Sequence, residues 1–589
     1  MANRRNFLKH AGQGVAAAAA AASVRPASST GQGRSASDES RPGPKEVVRG
    51  KRAVAASQHP IVTRAILDVL KAGGNAIDAA VAGCVVQATV QPEMTNHTGT
   101  VTMVYWDAKS RQAHQLISMG TLVDRLPPFR TWPANLGGYA IGAGPVACIP
   151  GFMPGMKAML ERFGTKKWSE LIEPAIHWAE EGHLVNSFQL MVLEYSFASS
   201  VYFPSGRKFF TPTGFQFAVG DRWRNPELAG ALRRSANEGP DYFITGEWAK
   251  KFVAEANRLG WAIKLDDMTA IKPRWGEPLR WKHRDHEILQ LAPPERQGVY
   301  TALVLGLLRE LDIKRVGHYA DSAEGLYYMA HALRRAHQEC AYLHDPEIFG
   351  DATQTWLSPE YQRYLADILR VARPKVDLSR HVQLTSAGPQ LVAAGLPTAG
   401  AGKADQPAGS CESVVVDEQG NWVQIMNTLQ SGGIPGIVID GIPMVGSHVN
   451  FTMNAAIGGW LAPGARMRSI IGNTIVLKDG KPVLSMGTPG NVHCTIPQVL
   501  SNCLDFGMEP YDASVVPRML PLRDDFVLEI ESRVPEKVGA DLMKMGVQIK
   551  PLPTYDYHMG SFQMAWRDPA TGLLGSSADP RRAGMAGGF

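Results

Sequence analysis

Gly409-Ser410-Cys411-Glu412-Ser413-Val414-Val415-Val416-Asp417 closes a Gly/Ala-rich stretch, and Glu418-Gln419-Gly420-Asn421 separates it from Trp422-Val423-Gln424-Ile425-Met426. Alternation and β-branched runs predict two strands, and the Gly-Asn between them predicts a hairpin turn. A small hydroxyl residue, Ser410, therefore stands immediately before the first strand.

Upstream, residues 377–409 carry Gly388, Pro389, Ala393, Ala394, Gly395 and Pro397, then Thr398-Ala399-Gly400-Ala401-Gly402-Lys403. This composition has no helical or strand period and reads as a loop. Downstream, the second strand ends at Met426-Asn427-Thr428-Leu429-Gln430 and Ser431-Gly432-Gly433-Ile434-Pro435-Gly436 follows.

The 589 residues exceed one ordinary domain, and 44% apolar with 20% charged residues is a globular composition. A net charge of +5 is too dilute over this length to indicate nucleic acid, and no basic cluster is interleaved with aromatics. Arg4-Arg5-Asn6-Phe7-Leu8-Lys9, followed by the alanine run from Ala16 to Ala22, resembles a twin-arginine export signal; a basic tail is the alternative. Residues 1–50 are read as signal plus linker, and a periplasmic or secreted protein without a membrane span is expected. The six cysteines are scattered without a CxxC pair, which predicts mostly free thiols.

Lys71-Ala72-Gly73-Gly74-Asn75-Ala76-Ile77-Asp78-Ala79-Ala80 breaks one helix and starts another, with Asn75 placed to cap it. Helices are also expected at Met156 to Phe163, Leu171 to Glu181 and His331 to Pro346. His283-Arg284-Asp285-His286, and His337 with Cys340 and His344, have ligand-like composition without a complete metal signature, so no metal is assigned. Gly487-Thr488-Pro489-Gly490-Asn491 turns into a helix; its amides suit a developing oxyanion, or the turn is an ordinary strand-to-helix connection.

Taken together, several strings resemble the γ-glutamyltransferase family of N-terminal-nucleophile (Ntn) hydrolases. They are Ser57-Gln58-His59-Pro60, Gly73-Gly74-Asn75-Ala76-Ile77-Asp78-Ala79-Ala80, Gly164-Thr165-Lys166-Lys167-Trp168, Gly487-Thr488-Pro489-Gly490-Asn491 and Ser577-Ala578-Asp579-Pro580-Arg581. The resemblance runs from about Val54 to the C-terminus. It implies an α+β, four-layer αββα sandwich built by two fragments of one self-cleaved precursor, residues 51–409 and 410–589, which stay associated.

It also implies residue roles. The precursor would cut itself between Gly409 and Ser410, and Ser410 would become both a new N-terminus and the nucleophile. Thr428 matches the family threonine that contacts the new amine, and Gly490 and Asn491 would supply the oxyanion amides. Gln430, Asn450, Ser469 and Arg468 fall at or beside substrate-contacting positions. Cys411 is a competing nucleophile, since a thiol is intrinsically stronger. No cofactor is needed, because the α-amine of an N-terminal serine, with an ordinary pKa of about 7.7–8.0, can accept the hydroxyl proton.

The sequence departs from the family at the substrate clamp. Ser118-Met119-Gly120 replaces the segment holding the family arginine, and Asn450 replaces the acid before Phe451. After Pro293-Pro294, Glu295-Arg296-Gln297 stands where relatives carry serines. These changes predict a self-processing exported enzyme acting on a non-glutamyl small-molecule amide. True γ-glutamyl transfer or glutathione hydrolysis through a rearranged clamp, and a catalytically silent scaffold, are the alternatives.

Overall fold

Two seven-stranded sheets face each other, and helices cover both outer faces. The computed structural model describes residues 42–119, 149–258, 263–270, 272–341, 343–372, 409–429, 436–444, 469–522 and 527–589, which belong to one compact unit. The expected loop at 377–409 lies outside the described residues except for Gly409.

The first sheet runs, edge to edge, Met585–Gly588, Val54–Ser57, Cys411–Val416, Trp422–Thr428, Thr100–Asp107, Gln112–Ser118 and Arg274–Gly276. The predicted hairpin is at its centre, with Val414 paired to Gln424 and Val416 to Trp422. Its flanking strands come from the N-terminal half: Val54–Ser57 pairs with Cys411–Val416, and Thr100–Asp107 with Trp422–Thr428. Segments from both sides of Ser410 therefore interleave in one sheet. The second sheet orders Val48–Gly50, Leu574–Ala578, Gln563–Arg567, Lys481–Gly487, Thr474–Lys478, His286–Gln290 and Leu279–His283.

Strand alternation divides the central hairpin between two cores. Val415, Val423 and Ile425 pack on helices that include Pro60–Lys71, Ala76–Val90 and Trp168–Glu181. Val414, Val416, Trp422 and Met426 join the core shared with the second sheet and the helices Gln297–Glu310, Ala323–Cys340 and Val492–Leu504. This is the αββα sandwich.

The seam between the sheets is partly polar. Thr102 Oγ1 donates to Asn473 Oδ1 (2.7 Å), Asn473 Nδ2 to Glu412 Oε1 (2.9 Å), Gln424 Nε2 to the same oxygen (2.8 Å) and Ser485 Oγ to Gln424 Oε1 (2.7 Å). Burial pushes the Glu412 carboxyl well above its ordinary range, against the lowering effect of the hydrogen bonds from Gln424 and Asn473.

Asn75 caps as expected, in a full capping box with Asp78: Asp78 N donates to Asn75 Oδ1 and Asn75 N to Asp78 Oδ2. The second oxygen of Asp78, Oδ1, takes the Thr165 amide at 2.8 Å. Two of the sequence strings are thus one piece of scaffold. The helix expected at His331 to Pro346 instead spans Ala323–Cys340. Pro346 disfavours helical geometry at Asp345, whose carboxylate accepts the Glu347 amide in a turn. Among the described residues no helix is long and apolar enough to cross a membrane.

Candidate active site

Antiparallel register sets the first contact. Cys411 pairs with Asn427, so the next position outward brings Ser410 against Thr428, and their hydroxyl oxygens are 2.7 Å apart. Thr428 is held from its other side, where it pairs with Thr100. The neighbouring Gly99 has no room for a side chain, because a Cβ there would overlap the Thr428 carbonyl. That is a physical reason for the one glycine kept in the stretch Asn96 to Tyr105.

Ser410 is partly buried and has φ of +106°, a conformation that L-residues other than glycine avoid. The peptide bond preceding it is therefore under local backbone strain. One residue on, alternation turns Cys411 away from the inter-sheet seam. Its thiol packs among Met94, Phe188, Val192 and Ala583, with Sγ 3.7 Å from Gln91 Oε1. Complete burial, then the charge of Glu93, pushes its pKa well above the ordinary range. A thiol that cannot ionise is a poor nucleophile.

The strand Lys481–Gly487 leads into Thr488-Pro489-Gly490-Asn491, and Asn491 is the N-cap of the helix Val492–Leu504. Gly490 has φ of +85°, and a Cβ on it would lie 3.1 Å from Gly560 Cα and 3.2 Å from the His558 carbonyl oxygen. The Gly490 amide has no hydrogen-bond partner among the described residues. The Asn491 amide is engaged: its backbone N (3.3 Å) and Nδ2 (2.7 Å) both donate to His558 O.

That carbonyl is positioned by buried charges. The His558 ring is hydrogen-bonded through Nδ1 to Asp556 Oδ1 (2.9 Å), and the Asp556 amide donates to Glu531 Oε1 (3.0 Å). Arg581 grips both oxygens of Glu531 at 2.7 Å and reaches Asp579 at 3.2 Å, while Arg518 pairs with the other Asp579 oxygen. The string Ser577 to Arg581 is thus a clamp on the turn carrying Gly490.

Sequence reasoning stopped one residue short of Arg582. Its guanidinium is fully buried, lies over the Phe188 ring, and has Nη2 3.2 Å from where a Gly490 Cβ would sit. Burial lowers its pKa to about 10, so it stays cationic. The charge stands beside Cys411 and Gly490, and the doubled arginine after Asp579-Pro580 was the available signal. Glu412, the buried acid of the seam, was missed too; a lone Glu in a Val-rich strand was the signal there.

Of the remaining predicted residues, Ser469 is described and buried, and its carbonyl accepts the Arg296 amide at 3.0 Å. Gln430, Asn450 and Arg468 lie outside the described residues, as does one of the six cysteines, Cys148. The described cysteines are all free. No group of three or more His, Cys, Asp or Glu among the described residues could hold a metal. His283 Nε2 and Arg284 Nε instead share Asp505 Oδ1, each at 2.9 Å, and His337 stacks on His493 with ring centroids 5.5 Å apart.

A family profile described as Gamma-glutamyltranspeptidase matches residues 62–589. Over 561 residues the chain is 27% identical to the glutathione hydrolase proenzyme of Escherichia coli (strain K12), covering 91% of each chain. Over 560 residues it is 25% identical to the Acylase ACY 1 proenzyme of Pseudomonas sp. (strain SE83), covering 92% of this chain and 96% of that one. The crystal structure of cephalosporin acylase from Bacillus halodurans superposes with a TM-score of 0.76 at 22% identity, over 96% of this chain and 99% of the other. That last likeness establishes the shared fold.

Proposed function

The chain belongs to the gamma-glutamyltranspeptidase family, and on that premise we propose that it is a self-processing amidohydrolase whose nucleophile is Ser410 and whose substrate is a non-glutamyl amide. The observation that carries this reading is the 2.7 Å contact between Ser410 and Thr428 at the mouth of the central strand, with the competing thiol of Cys411 buried on the other face.

Processing comes first. Ser410 Oγ attacks the Gly409 carbonyl, the hydroxyl proton passes to the departing Ser410 nitrogen, and the peptide becomes an ester. Relief of the strained φ at Ser410 favours this step. Water then hydrolyses the ester and leaves residues 51–409 and 410–589 as two interleaved fragments. The freed α-amine of Ser410 is the general base of the turnover cycle. It takes the hydroxyl proton as Oγ attacks the substrate carbonyl, while Thr428 orients the hydroxyl and the Gly490 amide meets the oxyanion. Proton return to the leaving amine gives the acyl-Ser410 ester, which water or a second amine resolves. Residues 1–50 serve twin-arginine export to the periplasm or beyond.

The altered clamp supports a non-glutamyl acyl group, and the likeness to an acylase proenzyme points the same way. The similar overall likeness to a glutathione hydrolase proenzyme favours glutathione hydrolysis as the second reading. Rates on γ-glutamyl-p-nitroanilide and on a panel of simple N-acyl p-nitroanilides separate the two. Turnover confined to the γ-glutamyl compound overturns the non-glutamyl assignment.

A further inference from the structure

At the end of the sandwich opposite Ser410, four hairpin turns converge, two from each sheet. They join Thr100–Asp107 to Gln112–Ser118, Cys411–Val416 to Trp422–Thr428, Thr474–Lys478 to Lys481–Gly487 and Gln563–Arg567 to Leu574–Ala578. A cleft of about 570 Å³ opens among them, a volume within the range of small-molecule sites. Trp422, which lines it, and Thr428, which meets Ser410, are the two ends of one strand, about 20 Å apart at about 3.3 Å per residue. The cleft is therefore separate from the candidate active site.

Its floor is indole and its rim is cationic. Trp106 and Trp422 are register partners on neighbouring strands, and both turn towards the seam between the sheets. Neither indole N–H has a hydrogen-bond partner among the described residues, whereas the buried Trp248 and Trp281 donate theirs to Ile439 O and Gln290 Oε1. Arg111, Lys481 and Arg567 stand around the opening, all three exposed. Arg111 reaches from one sheet towards the other, with Nη2 3.6 Å from where a Gly480 Cβ would sit. Arg111 and Lys481 make no hydrogen bond or ion pair with any described residue, and Arg567 gives Nη1 to Gly572 O at 3.0 Å. Among the described residues no carboxylate lines the cleft. Of those nearest in sequence, Asp107 accepts from the Lys109 amide and Ser110 Oγ, Glu418 from Arg52, and Asp568 from the amides of Ala570 and Thr571, while Asp479, which is exposed, acts on Lys478. Three like charges around an apolar floor repel one another and concentrate a positive potential at the opening.

We propose that this cleft is a second binding site, for planar aromatic carboxylates. The ring of such a ligand buries against Trp106 and Trp422, where aromatic pairing adds to the burial of apolar surface. Its carboxylate takes the free N–H groups of the Arg111 guanidinium, with the Lys481 ammonium beside it. An aliphatic anion lacks the first contact, and an uncharged arene lacks the second. The site does not depend on which residue of the chain is acylated.

The test is calorimetric titration of the purified protein with cinnamate, with cinnamamide as its uncharged counterpart and 3-cyclohexylpropanoate as its non-aromatic one. Wild type is expected to bind cinnamate with a Kd below about 1 mM, about tenfold more tightly than the amide and about threefold or more over the cyclohexyl acid. In the double variant Arg111→Gln with Lys481→Gln, cinnamate should weaken by about tenfold, to the level of the amide. Ala108→Phe, which fills the cleft from the turn at its edge, should abolish binding of both. Cinnamate binding that persists in either variant lies elsewhere on the protein and overturns the proposal. So do absent binding by wild type and equal affinity for cinnamate and either control. If Ala108→Phe does not fold, the double variant decides, since the exposed cations it replaces have no partner among the described residues.

Discussion

The hydroxyl oxygens of Ser410 and Thr428 lie 2.7 Å apart, as the register of two neighbouring strands dictates. Thr428→Val removes this partner while keeping the shape of the side chain. A hydrogen bond to a group that develops charge contributes about 1.5–3 kcal/mol. Processing and turnover in Thr428→Val should therefore slow by about 10- to 150-fold, and Thr428→Ser should recover most of the loss. Time courses of chain cleavage on gels and anilide release measure both.

Cys411 is expected to be inert. In the native protein, thiol reagents at pH 8 should leave it unmodified, and Cys411→Ala should process normally at a stability cost of about 1 kcal/mol. Peptide mapping after alkylation, with melting curves of the variant, checks this. Rapid labelling of Cys411 with loss of activity would reinstate the thiol as nucleophile.

Much of this was readable in the chain itself. The strand pair, its turn and the Asn75 cap follow from local pattern, because alternation and capping are encoded within a few residues. Register between distant segments is not, so the flanking of Cys411–Val416 by Val54–Ser57 could not be derived from periodicity. The surroundings of Glu412 and Arg582 were hidden for the same reason: each depends on burial created by segments far away in sequence. His283 illustrates how composition alone leaves a role open. Its ligand-like string carries no complete metal signature, and its imidazole is satisfied by Asp505.

The clamp of Asp579, Arg518, Arg581 and Glu531 is buried throughout. Burial alone would raise the Asp579 pKa, but the two arginines hold it below the ordinary value. Asp579→Asn leaves uncompensated buried cations and should cost about 3–5 kcal/mol. Because Arg581 and Glu531 position His558 O, the variant should also lose activity before it unfolds. Denaturant titration read beside initial rates distinguishes the two losses.

Acid should destabilise the protein earlier than carboxylates alone would. Burial lowers His59, His97 and His331 to about 3, and His183 and His337 to about 4. Each folded value lies below the unfolded value of about 6.5. The unfolded chain therefore binds more protons in this window, and stability falls as pH drops from about 6.5 towards 4. Melting temperatures should be level above pH 7 and decline steadily below 6.5. A flat profile down to pH 4 would contradict the neutral burial of these rings.

The most direct measurement is the intact mass and N-terminal sequence of purified wild type and Ser410→Ala. Two fragments are expected from wild type, one beginning at Ser410 and ending at Phe589, and a single uncut chain from the variant. A wild-type chain that stays whole, or a cut that persists in Ser410→Ala, would contradict Ser410 as the residue on which the account depends.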